Sequence, residues 1–183
     1  VKKFKEGFTL VEIIVVIGII VILSGIFIGF SQKSRNQIML NVEKSRITNL
    51  FGRAKSSALT GYTNPPSLPP PCSYGVEFTS SSYALFEYTP PAPQSCDDIE
   101  GITSLLQGGM RYVEKTNFDS KIKIDATGAD SLGYIIFIPP NLLTKLFDVN
   151  RNEMAAPAKI YLKTVDSPTT SEIIVSSLGQ INL

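Results

Sequence analysis

The chain has 183 residues, 43% hydrophobic and 18% charged, which is long enough for one modest domain with an appendage and too short for two ordinary domains. It has no His, no Trp and two Cys, so a His general base, a Ser-His-Asp triad, a Cys-His dyad and any His-containing zinc site are all removed. The net charge of +1 conceals an uneven distribution: residues 31–61 carry six Lys/Arg against Glu43 alone, a net of +5, while residues 62–183 carry eight against thirteen Asp/Glu, a net of −5. Such a basic stalk beneath an acidic head either supports contacts between neighbouring copies or is simply solvated.

A short basic start with Lys2, Lys3 and Lys5 leads into an apolar stretch. From Ile13 to Phe30 there is no charge and one polar side chain, Ser24. With Phe8 to Val11 added, at about 1.5 Å per residue, the stretch is long enough for a hydrocarbon core of about 30 Å. A cleaved secretory signal would have a shorter apolar region and a small-residue site after it, whereas this stretch continues as a patterned helix. Lysines and arginines flank both ends, so the positive-inside rule does not orient it. Glu12 stands among Leu10, Val11, Ile13 and Ile14. A carboxylate at membrane depth costs about 2.5–3.5 kcal/mol, so Glu12 is either an interfacial side chain reaching the headgroups or a residue with a partner. Gly25 and Gly29 form a small-xxx-small pair suited to close helix packing or to local melting.

After Phe30 the pattern becomes a single apolar stripe of Leu40, Ile47, Leu50, Phe51, Ala54 and Ala58 at helical spacing, predicting one helix from about Thr9 to about Leu59. Gly61, Asn64-Pro65-Pro66 and Pro69-Pro70-Pro71 end it and read as a rigid connector. Beyond them come short strands at 74–79, 83–88, 110–114, 121–125, 134–138, 159–164, 172–176 and 180–183. Ser177-Leu178-Gly179 forms a tight turn between the last two. Lys121 to Asp125 and Lys159 to Lys163 alternate, as expected of a sheet lying on the stalk stripe. Cys72 and Cys96 flank the first hairpin, and either bridge in an oxidising compartment or stay as buried thiols. Asp148 to Glu153 spaces oxygen ligands alternately, as calcium loops do, but Arg151 stands where such loops want a glycine or a neutral residue, so a polar turn is the better reading. No cofactor is expected.

The run Lys5-Glu6-Gly7-Phe8-Thr9-Leu10-Val11-Glu12 before an apolar helix resembles the prepilin signature of type IV pilins and of type II secretion pseudopilins. The resemblance implies an α+β type IV pilin fold, with a long N-terminal helix on a C-terminal antiparallel head. It divides the chain into a leader at 1–7, a membrane and assembly helix at 8–30, an amphipathic stalk at 31–61 and a β-rich head at 62–183. It implies that a prepilin peptidase cuts between Gly7 and Phe8 on the cytoplasmic side and methylates the Phe8 amine. In this family the residue matching Glu12 neutralises that amine on a neighbouring subunit, a pairing with sense in a low-dielectric filament core where a lone charge would be strongly destabilising.

The implied life history is a single-pass membrane protein with its N-terminus inside, then an extracytoplasmic filament. The implied partners are the peptidase, other pilin or pseudopilin subunits through the N-terminal helix, an inner-membrane assembly platform and membrane lipid. Gly29 stands where many major pilins have a helix-distorting proline. Ser73-Tyr74-Gly75-Val76-Glu77-Phe78, Tyr83-Ala84-Leu85, Phe137-Ile138-Pro139 and Ile173-Ile174-Val175 with Gly179-Gln180-Ile181 resemble the heads of H-type minor pseudopilins. The expected function is a structural, minor filament subunit and not an enzyme; the alternative is a tip subunit that binds a ligand or DNA. The net charge of −5 on the head argues against nucleic acid.

Overall fold

The computed structural model of the chain describes residues 9–60, 71–125, 128, 130–166 and 169–182, without the side chains of 27–32 and Gln107. The fold is α+β. Helix α1 (Leu10–Thr60) is followed by strands β1 (Ser73–Phe78), β2 (Ser82–Tyr88), β3 (Met110–Asn117), β4 (Ile122–Asp125), β5 (Tyr134–Ile138), β6 (Leu143–Phe147), β7 (Ala158–Thr164), β8 (Thr170–Val175) and β9 (Ile181–Asn182). They form two antiparallel sheets, ordered β3-β2-β1-β5-β6 and β4-β7-β8-β9. The chain divides into two compact units, one ending at Ile38 and the other comprising Met39–Leu183.

In the first unit, the α1 side chains from Leu10 to Ile26 are exposed. Ser24 satisfies its hydroxyl within the helix by donating to the Ile20 carbonyl at 2.7 Å, so the lone polar residue of the apolar run leaves no unmet donor. Among the described residues no helix is long and apolar enough to cross a membrane. The expected span, 8–30, reaches Phe8 and the side chains of 27–30, which lie outside the described residues.

In the second unit the stripe of α1 becomes the centre of the core. Leu40, Ile47, Leu50, Phe51, Ala54 and Ala58 are all buried and join one cluster with both sheets: Val76, Leu85, Ile135 and Phe137 from the first, Ile124, Ile160, Leu162 and Ile173 from the second. Phe51 has ring contacts with Phe78 at 5.7 Å and, edge-on, with Phe137 at 6.2 Å. In the smaller sheet β7 alternates, with Ala158, Ile160, Leu162 and Thr164 inward and Lys159, Tyr161 and Lys163 only half-buried, because one face packs and the other is wet.

The larger sheet is covered on its second face too. The segment from Thr89 to Gly109, with short 3-10 helices at Cys96–Gly101 and Gln107–Gly109, lays Ile99, Ile102 and Leu105 over Phe86, Ile136, Ile138 and Phe147. A disulfide between Cys72 and Cys96, with Cα atoms 5.2 Å apart, fastens this cover at the start of β1. Burial on both faces explains why β5 reads as the unbroken apolar run Tyr-Ile-Ile-Phe-Ile. It also explains why β6 escapes the sequence reading: Leu146 joins the stalk-side core and Phe147, its neighbour, the outer one, so no clean alternation marks the strand.

Strand β3 continues to Asn117, past its expected end at 114, because a register shift opposite Leu85/Phe86 absorbs one residue and lets pairing resume to Ser82. Gly179, with φ at 65°, makes the turn between β8 and β9, its Gly-only backbone set against Phe137 and Thr144.

Truncating Phe51 to Ala should cost about 3–5 kcal/mol, since three elements meet on its ring, and urea unfolding followed by near-ultraviolet circular dichroism reads that loss. Peptide mapping without reductant should recover the peptides containing Cys72 and Cys96 as one linked species. Equal thiol labelling of native and denatured protein would contradict the bridge.

Candidate functional site

The residues expected to carry processing, Gly7 and Phe8, lie outside the described residues. Glu12 is described, and its setting was not foreseen. Thr9 precedes the helix, and its carbonyl accepts the first helical bond from the Ile13 N–H at 3.3 Å. The Thr9 hydroxyl accepts from the Glu12 N–H at 3.3 Å, and Glu12 Oε2 in return accepts from the Thr9 N–H at 3.3 Å and the Thr9 hydroxyl at 3.4 Å. This is a reciprocal capping box, and Thr-x-x-Glu before an apolar run is its sequence signature, legible at 9–12 and missed.

The box has two chemical consequences. It satisfies donors that the first turn of a helix leaves open, and it places a negative charge at the positive end of the helix dipole. Among the described residues it also occupies only Oε2. A carboxylate has about four lone-pair sites, so Glu12 can brace its own helix and still accept from a second cation.

The stalk cations are less available than their sum implies. Arg46 pairs with Glu43 at 2.7 Å and Arg53 with Glu114 at 2.6 Å. Lys55 donates to the Gly179 carbonyl at 2.5 Å and lies over the Phe137 ring at 5.4 Å, and burial lowers its pKa. Among the described residues Lys33, Arg35 and Lys44 make no ion pair. Glu43 is itself buried on the core stripe, in helical phase between Leu40 and Ile47, with the Tyr83 hydroxyl 3.5 Å away. Burial, and then the Glu43 charge, raise the Tyr83 pKa.

Asp148 to Glu153 is built as a polar turn. Asp148 Oδ1 accepts from the Asn150 and Asn152 N–H groups at 2.8 and 2.9 Å, and Glu153 pairs with Lys145 at 3.0 Å. Among the described residues no cluster of three His, Cys, Asp or Glu could hold a metal ion. The turn does something else: it holds Arg151 at φ 68°, in the left-handed region a non-glycine seldom occupies, and lays its guanidinium over the Tyr134 ring at 5.6 Å. Beneath, the carboxylate of the buried Glu77 faces the hydroxyls of Tyr134 and Tyr112.

Residues 2–28 match a family model described as Prokaryotic N-terminal methylation motif, which supports a type IV pilin-like assignment. Comparison with curated proteins and with solved structures finds no match.

Burial, and then the Glu77 carboxylate, push the Tyr112 hydroxyl from 10.0 up to about 12. The folded state therefore keeps a proton that the unfolded chain releases, and this contribution to stability is complete below pH 10 and lost as pH rises toward 12. Alkaline unfolding curves should flatten across that window in Tyr112→Phe, and one late-ionising phenol should vanish from the ultraviolet titration.

Proposed function

We propose that the chain is a structural subunit of a type IV pilus or a type II secretion pseudopilus. In this reading it is made as a precursor, inserted in the inner membrane through residues 8–30, cut between Gly7 and Phe8 by a prepilin peptidase, methylated on Phe8, and assembled with other subunits through the N-terminal helix. The observation that carries the reading is the coincidence of the methylation motif at 2–28 with the capping box at Thr9–Glu12. The α+β head on the stalk stripe supports it.

The physics of the proposed cut is local. Cleavage before Phe8 places a new ammonium one residue ahead of the helix cap, where the dipole is already positive. That amine needs a carboxylate, and Glu12 is the acidic residue of the first turn. Its uncommitted Oε1 is available to the amine of an incoming neighbour while Oε2 stays on Thr9. Glu12→Ala removes both functions, so the capping loss must be measured apart from the pairing loss.

Intact mass of protein made with a prepilin peptidase should lack residues 1–7 and carry one methyl group. A mature chain beginning at Val1 or after Phe30 would refute the assignment. Glu12→Ala should still be cut but should accumulate in membranes and be depleted from sheared filaments. Glu12→Gln keeps an acceptor for the Thr9 donors but loses the charge, and it should fail in assembly to the same degree. Assembly of Glu12→Gln at the wild-type level would leave Glu12 with the helix cap alone.

A further inference from the structure

The cover over the outer face of the larger sheet is held unevenly along its length. From Ile102 onward it is bonded to the rest of the head: the Lys145 ammonium donates to the Ile102 carbonyl at 2.8 Å, the Glu153 N–H to the Thr103 carbonyl at 2.8 Å, the Leu105 N–H to the Arg151 carbonyl at 3.1 Å and the Leu106 N–H to the Tyr88 hydroxyl at 3.4 Å. At its start the Thr89 N–H donates to the Gly109 carbonyl at 2.9 Å. Between these anchors the bonds are local. The Gln94 N–H donates to the Pro91 carbonyl, and Ser95 and Asp98 close a capping box on their own 3-10 helix. Among the described residues none of 91–101 makes a hydrogen bond to the sheet, and none forms an ion pair.

What attaches this stretch to the sheet is the disulfide and one side chain. Of residues 91–101 only Ile99 is buried, in the outer core that also holds Tyr88, Ile136 and Ile138. Cys96, three residues before it, is bonded to Cys72, whose own N–H donates to the Tyr88 carbonyl at 3.0 Å. Fixing the backbone of so long a stretch costs more entropy than burying one isoleucine returns. The covalent bond tips that balance, because it restricts the opened state. The outer core shares no residue with the core around the α1 stripe, so the outer one can open by itself.

The two cysteines differ in access. Cys96 is exposed and Cys72 is buried, so an incoming thiolate meets the Cys96 sulfur first. It attacks Cys96 Sγ and bonds to it; the S–S bond breaks, and Cys72 leaves with the electron pair and takes up a proton. The second thiol of a dithiol then attacks the first, now bonded to Cys96, which closes the reductant into a disulfide and releases Cys96 as a thiol. Two electrons pass to the protein, and the dithiol is oxidised.

We propose that the Cys72–Cys96 bond is a redox latch on residues 91–101: oxidised, it seats Ile99 in the outer core, and reduction by a dithiol entering at Cys96 frees this flap while 102–109, the sheet and the α1 stripe stay folded. Opening withdraws Ile99 from its layer. The state of one bond, and not the stability of the whole head, then decides whether the outer apolar layer is closed. The latch stands independently of the filament reading.

The test uses full-length protein in detergent, either oxidised or reduced with dithiothreitol and alkylated. Amide hydrogen exchange is followed by peptide, together with cleavage after Glu100 by a glutamate-specific protease. Reduction should speed cleavage and exchange across 91–101 by about tenfold or more and leave peptides from 40–58 and 102–106 unchanged. Cys96→Ser should behave as the reduced protein does, without reductant. Brief reaction with glutathione, a monothiol, should place the adduct on Cys96. If circular dichroism finds Cys96→Ser misfolded, reduction of the folded wild type decides. The proposal is overturned if 91–101 stays protected after reduction, because packing alone would then hold the flap. It is overturned equally if protection is lost along 40–58, because the bond would then hold the whole head, or if the adduct lies on Cys72. Leader removal, read by mass on the same samples, tests the filament reading separately.

Discussion

Everything in the second unit depends on burying one face of α1. Helical spacing brings Leu40, Ile47, Leu50, Phe51, Ala54 and Ala58 into a line, and both sheets set their inward side chains on it. A sheet with one apolar face cannot stand alone, and neither can an amphipathic helix, so each supplies the other's missing layer. Phe51 makes the dependence concrete, since its ring meets β1 through Phe78 and β5 through Phe137. Glu43 interrupts the stripe with a carboxylate held by Arg46 and facing Tyr83. An all-apolar stripe could slide by a turn at little cost. A buried carboxylate cannot, because the Tyr83 hydroxyl it faces stays behind, while Arg46, on the same helix, moves with it.

The parts of the fold that were legible in the sequence are those with one dry face and one wet one. The stripe on α1 and the alternation in β4 and β7 declare themselves because each places polar residues in water at a fixed period. Where both faces are covered, the period disappears. Strand β6 was missed because Leu146 and Phe147 feed different cores, and the three inward residues of the cover, Ile99, Ile102 and Leu105, have no strand or helix period to connect them.

The functional region divides in the same way. The residues from Lys5 to Glu12 stand out because they form a linear motif, within the segment that matches the methylation-motif model. Reading Glu12 only as a charge in an apolar run hid the simpler pattern, a threonine three residues before it. The corner around Arg151 could not be read from the sequence. It joins β1, β3, β5 and two loops, and only the register of the sheet brings Glu77 beside Tyr134 and Phe86 beside Tyr112. Arg151 looked like an obstacle to a calcium loop, whereas the turn exists around it, with Asp148 supplying the brace.

The cover segment is fastened at two places along its length. Its middle is joined to the start of β1 by the Cys72–Cys96 bond, and its later part is paired to the 151–153 turn through Thr103, Ser104 and Leu105. Between Tyr88 and the bridge the exposed stretch Ala92-Pro93-Gln94 touches neither hydrophobic core. Changes there are mechanically insulated: insertions lengthen a closed loop at little entropic cost and leave the sheet, the helix stripe and the helix cap unperturbed. That stretch can therefore diversify while both hydrophobic cores keep their sequence, and it is the natural place to carry an epitope or a fluorophore.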